Sequence, residues 1–128
     1  MAWELDVADD GFIELRIRDV LAPDELQEAF SATLAAARDA DHYLVLADCT
    51  DMAGGHTVID LVQLAEELSK QGVLARFREA VVLPLHPDIA RLVQFWEVAS
   101  LNRGLLVRTF PDRESAAAWL RQVDTWQE

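Results

Sequence analysis

Two short, uninterrupted apolar runs constrain this chain more than any other feature. Tyr43-Leu44-Val45-Leu46-Ala47 and Ala80-Val81-Val82-Leu83 are each of strand length and contain no charged residue. A half-buried strand alternates polar and apolar residues. A strand apolar at every position is covered on both faces, as in a parallel sheet flanked by helices. Parallel strands also need long crossovers. The spacing supplies them. Val58, Leu61, Val62, Ala65 and Leu68 form one helical stripe, with Gly72 as its stop. Ile89, Leu92, Val93, Trp96 and Ala99 form another, opened by Pro87 and Asp88.

The rest of the chain extends this pattern. Trp3-Glu4-Leu5-Asp6-Val7 alternates, and so do Ile13, Leu15 and Ile17 with Glu14, Arg16 and Arg18. Asp9-Asp10-Gly11 between them is a turn signal, so the two strands are expected to form a hairpin. Pro23, Asp24 and Glu25 suit the first turn of a helix, with Leu26, Phe30, Thr33, Leu34 and Ala37 as its stripe. A last strand is expected over 105–110. Asp112 is an apt N-cap for a final helix with Ala116, Trp119, Leu120 and Val123 inside. The order is β-β-α-β-α-β-α-β-α. It predicts an α/β domain with a single mixed five-stranded sheet and four helices, spanning residues 1–128.

Composition excludes several classes. Hydrophobic residues make up 52% of 128, ample for a core. Mean hydropathy is only +0.06 and no apolar run approaches a membrane span of about 20 residues. Charge at Glu4 and Asp6 interrupts any apolar leader. The lone Cys49 cannot form an internal disulfide, so a reducing cytoplasm is expected. Net charge is −12, of which residues 1–51 carry −10. Such a surface repels phosphate backbones, which argues against nucleic-acid binding and leaves a basic protein as the alternative to a plain solvated face.

In an open α/β sheet, ligands bind beyond the carboxyl ends of the parallel strands. Three connections converge there: residues 48–56, Pro84-Leu85-His86 and Pro111-Asp112. The first reads as a polar loop. The candidate binding edge is therefore Asp48, Cys49, Asp51, Gly54, Gly55, His56 and His86, with His42 at the opposite edge. Gly54-Gly55 before a helix suits either a backbone anion cradle or a turn that needs positive φ. Nucleotide-binding glycine motifs are absent, and the Asp/His spacing matches no metal motif, so neither cofactor nor metal is expected. A Cys49–His56 nucleophile pair lacks a third orienting group. On the helix over 87–102, Phe95, Val98 and Leu101 form a second apolar flank, a candidate homodimer interface. Trp96 and Trp119 fall on inner faces. Trp3 can cover a sheet edge, and Trp126 lies in the tail.

This element order resembles the STAS-like fold, and within it the SpoIIAA-like family. The likeness rests on the hairpin, Tyr43-Leu44-Val45-Leu46-Ala47-Asp48, Glu79-Ala80-Val81-Val82-Leu83-Pro84, the Phe95-Trp96 helix and the closing Val107-Arg108-Thr109-Phe110. After these comes Asp112-Arg113-Glu114-Ser115-Ala116-Ala117-Ala118-Trp119-Leu120. In anti-anti-sigma members a phosphorylated Ser or Thr opens the helix after the first buried strand, and the resemblance puts Thr57 there. That motif has Asp before the hydroxyl residue and Ser-Gly after it. Here His56 precedes and Val58-Ile59 follow, and Thr57 also reads as a plain N-cap. The resemblance implies a non-enzymatic, regulatory protein–protein interaction module. The alternative, also found among related folds, is a carrier or sensor of a small apolar or lipid ligand held under the helix over 87–102.

Overall fold

The computed structural model describes residues 2–7, 11–73 and 75–124. Asp9 and Asp10 of the expected turn, and Trp126, lie outside them. The elements are β1 (Trp3–Val7), β2 (Ile13–Asp19), α1 (Pro23–Ala40), β3 (Leu44–Met52), α2 (Val58–Ser69), β4 (Arg78–Val82), α3 (Pro87–Leu101), β5 (Leu106–Phe110) and α4 (Arg113–Asp124). The five strands form one mixed sheet in the order β1-β2-β3-β4-β5. β1 is antiparallel to β2, and every later pair is parallel. This is the α/β architecture expected from the sequence, with both apolar runs in interior strands.

Each crossover from β2 to β5 steps one strand further in the same direction. Right-handed crossovers of this kind place α1, α2 and α3 on one face. Alternation along the strands then sorts the core into two parts. Ile13, Leu15, Val45, Ala47, Val81 and Val107 face α1, α2 and α3. Leu44, Leu46, Ala80 and Val82 face α4, which contributes Ala116, Trp119, Leu120 and Val123. Trp96 and Trp119 are both buried, one in each part. Trp3 is half-buried against the first.

One expectation changes here. The polar stretch after Ala47 is not a loop at its start: β3 continues through Asp48, Cys49, Thr50 and Asp51 to Met52. The extra length pairs with β2, where the register shifts between Arg16 and Arg18 so that Arg18 meets Asp51 and Asp19 meets Met52. The polar residues are tolerated because the strand runs beyond the cover of α4, while Cys49 and Met52 still turn into the core.

Candidate functional site

The carboxyl edge is held together by backbone and short side-chain bonds. Asp48 Oδ1 accepts hydrogen bonds from the Thr50 N–H at 3.1 Å and the Thr50 hydroxyl at 2.6 Å. Asp51 is exposed. Gly54 O accepts from the Leu21 N–H at 2.8 Å, which clamps the β3–α2 loop onto the β2–α1 connection. Gly55 sits at φ +105°, and a Cβ there would lie 2.6 Å from Val20 Cγ1 and 2.7 Å from Leu21 O. These glycines serve close approach between two loops.

The reactive side chains at this edge are already engaged. Thr57 is the N-cap of α2: its hydroxyl accepts from the Asp60 N–H, and the Asp60 carboxylate accepts from the Thr57 N–H at 2.7 Å and hydroxyl at 3.0 Å. This is a capping box with Asp at its fourth position. A phosphoryl group on Thr57 would face that carboxylate. His56 is half-buried, with Nδ1 3.1 Å from Leu21 O. His86 caps α3, its Nδ1 accepting from the Asp88 N–H at 3.2 Å. His56 and His86 follow neighbouring parallel strands and share one end of the sheet, whereas His42 precedes β3 at the other. Cys49 is buried, and burial pushes its thiol well above the ordinary range, helped by the charges of Glu79 and Asp48. A thiol so disfavoured as thiolate is a poor nucleophile. Among the described residues, no group of three or more His, Cys, Asp or Glu is placed to hold a metal ion.

Below this edge lies a feature absent from the sequence reading. A cleft between the sheet and α1, α2 and α3 is walled by apolar side chains such as Leu26, Phe30, Met52 and Trp96, with Cys49 and Glu79 among its lining. Its volume is about 30 Å³. His56 alone among the lining residues is not buried, which locates the mouth. Glu79 in β4 is fully buried. Its Oε1 accepts a 2.7 Å hydrogen bond from the Trp96 indole N–H. Its Oε2 is buried without a partner. Burial raises the Glu79 carboxyl to about 7, against the smaller opposing effect of the indole bond. The signal for Glu79 was period two: it shares a face with Phe77 and Val81, both buried.

The second apolar flank of α3 is unevenly exposed. Phe95 is half-buried and packs against the main core. Val98 and Leu101 remain exposed, at 52% and 47%.

With this geometry in place, comparison with known proteins supports the fold. No protein-family model matches the chain, and no curated protein matches it. Among solved structures it is similar to an uncharacterized protein of the DUF3478 family with a SpoIIAA-like fold, from Shewanella loihica PV-4. The two share 20% identity with a TM-score of 0.57, over 93% of this chain and 92% of that one. The chain has a SpoIIAA-like fold. Among the described residues, no helix is long and apolar enough to cross a membrane.

Proposed function

We propose that the chain is a non-enzymatic regulatory module that binds another protein through the carboxyl edge of its sheet. One observation carries this reading. Val20 on the β2–α1 connection, Ile59 in the first turn of α2 and Leu85 on the β4–α3 connection are 59%, 67% and 81% exposed, all at that end of the sheet. Large aliphatic side chains grouped on one exposed surface favour a partner over water. Asp51 is exposed beside them, and the chain is strongly acidic, which favours a partner surface that is apolar with a basic rim. The engaged state of Thr57, Cys49, His56 and His86 supports a binding role over a catalytic one. A free buried thiol is in keeping with work in the cytoplasm.

The test is a pair of edge variants, Ile59→Glu and Leu85→Glu, used with the wild type as bait in the lysate of the source cells. The wild type should retain one or a few proteins at stoichiometric level, and both variants should lose them with their circular dichroism unchanged. Equal retention by bait and variants, or none by any of them, would sink the reading. Sedimentation of the wild type beside Val98→Glu/Leu101→Glu shows whether these two residues pair two copies of the chain. The second reading, a carrier or sensor of a small apolar ligand, is favoured by the cleft around Glu79.

A further inference from the structure

The cleft under α1, α2 and α3 combines four properties seldom found together by accident. It contains a fully buried carboxyl group. One oxygen of that group is held by Trp96, while the other has no partner. Its walls carry two aromatic rings, Phe30 and Trp96, with centroids 5.3 Å apart. No lysine or arginine lines it, so the carboxylate has no counter-charge of its own. A buried unpaired oxygen costs stability, and an aliphatic residue of similar size would fill the same strand position without that cost. A ligand that donates to that oxygen would offset the cost.

The chemistry of the missing partner follows from these constraints. In its ionised form the carboxylate only accepts hydrogen bonds, so a partner that binds this form donates. The acidic surface concentrates cations and repels anions. A trimethylated head has no N–H to give Oε2, so a primary ammonium suits the site better. The remaining walls are apolar and lead toward His56.

We propose that this cleft binds a small primary organic amine, its ammonium group donating to Glu79 Oε2 beside Phe30 and Trp96, its hydrocarbon body lying along Leu26 and Met52 toward the mouth. This rests on the ligand-binding reading and names the ligand class. Apart from Glu79, the titratable groups facing the cleft are Cys49, held as a thiol, and His56 at the mouth. The indole N–H of Trp96 reports on the site directly, because it is bonded to the same carboxyl group.

The probe is hexylammonium, added to the purified full chain and followed by the Trp96 indole signal in proton–nitrogen NMR, assigned with Trp96→Phe. Hexan-1-ol, hexanoate and hexyltrimethylammonium are the comparison probes. Hexylammonium should shift the signal saturably, and the three others should bind at least about tenfold more weakly. Glu79→Gln keeps the shape and an acceptor for Trp96, and should lose at least about tenfold in hexylammonium affinity while unfolding cooperatively like the wild type. Glu79→Asp withdraws the carboxylate by one methylene and should weaken binding as well, which keeps the test valid if either variant folds poorly. If hexan-1-ol binds wild type and Glu79→Gln as tightly as hexylammonium binds wild type, amine recognition is overturned and the apolar-ligand reading survives. If no probe shifts the signal, both are overturned.

Discussion

The core under α4 is built from apolar side chains, whereas the core under α1, α2 and α3 encloses a carboxyl group, a thiol and a cleft. Under α4, Leu44, Leu46, Ala80 and Val82 meet Ala116, Trp119, Leu120 and Val123, and Trp119 packs against Phe110 with ring centroids 5.6 Å apart. On the other face, Glu79 lies between buried Phe77, just before β4, and buried Val81. The two faces share the same strands. The difference teaches that one helix seals its face with apolar side chains alone, while the three crossover helices enclose the larger core and still leave room between them for a polar group. Burying an uncompensated carboxylate is tolerable because the rest of the sheet is well packed.

The largest effect should come from the α4 face. Trp119→Ala removes a buried ring and is expected to cost about 3–5 kcal/mol, equally at acid and neutral pH, by urea unfolding. A pH-dependent cost would mean that the α4 face is coupled to Glu79 and the two faces are not separable.

Next is Glu79→Gln. In the unfolded chain this carboxyl titrates near ~4.3. In the fold burial raises it to about 7. Between these values the folded protein keeps a proton that the unfolded chain has released. Its stability therefore falls as pH rises through that window, and levels off above it. Gln has no such proton. The stability of Glu79→Gln relative to wild type should rise by roughly 3 kcal/mol from about pH 4 to about pH 8. A constant difference across the range would place Glu79 in contact with water.

The smallest effect is a silence. Cys49 should not react with a thiol reagent such as dithionitrobenzoate in the native protein at about pH 8, and should react with one equivalent in denaturant. Rapid native reaction would show that the cleft admits solvent down to β3.

The architecture was legible because its signals are collective. Two apolar runs, a hairpin and four helical stripes agree with one another, and each tolerates an error of a residue or two. Leu83 and Leu105, read as strand, fall just outside β4 and β5 without changing anything. The edge was only partly legible. His56 and His86 follow β3 and β4 and so were placed correctly by topology alone. The end of β3 was not, because Asp48 and Asp51 read as loop when strand pairing with Arg18 and Asp19 decides the matter. Phe95 could not be separated from Val98 by helical angle, since its cover depends on how closely α3 lies against its neighbours. Glu79 was hidden for a different reason. A glutamate beside a run of alanine and valines looks like the strand's polar boundary, and only the registers Val45 to Glu79 and Glu79 to Val107 carry it into the middle of the sheet.

The central claim is that Glu79 is a buried carboxyl with one oxygen free for a ligand. The most direct measurement is the carbon-13 NMR titration of its side-chain carboxyl in the wild-type chain, with and without hexylammonium. The midpoint is expected at about 7 in the free protein, in line with burial. A clear downward move is expected at saturating amine, because a bound cation favours the charged form. A midpoint in the ordinary glutamate range near ~4.3, or one that does not respond to the amine, would contradict the claim.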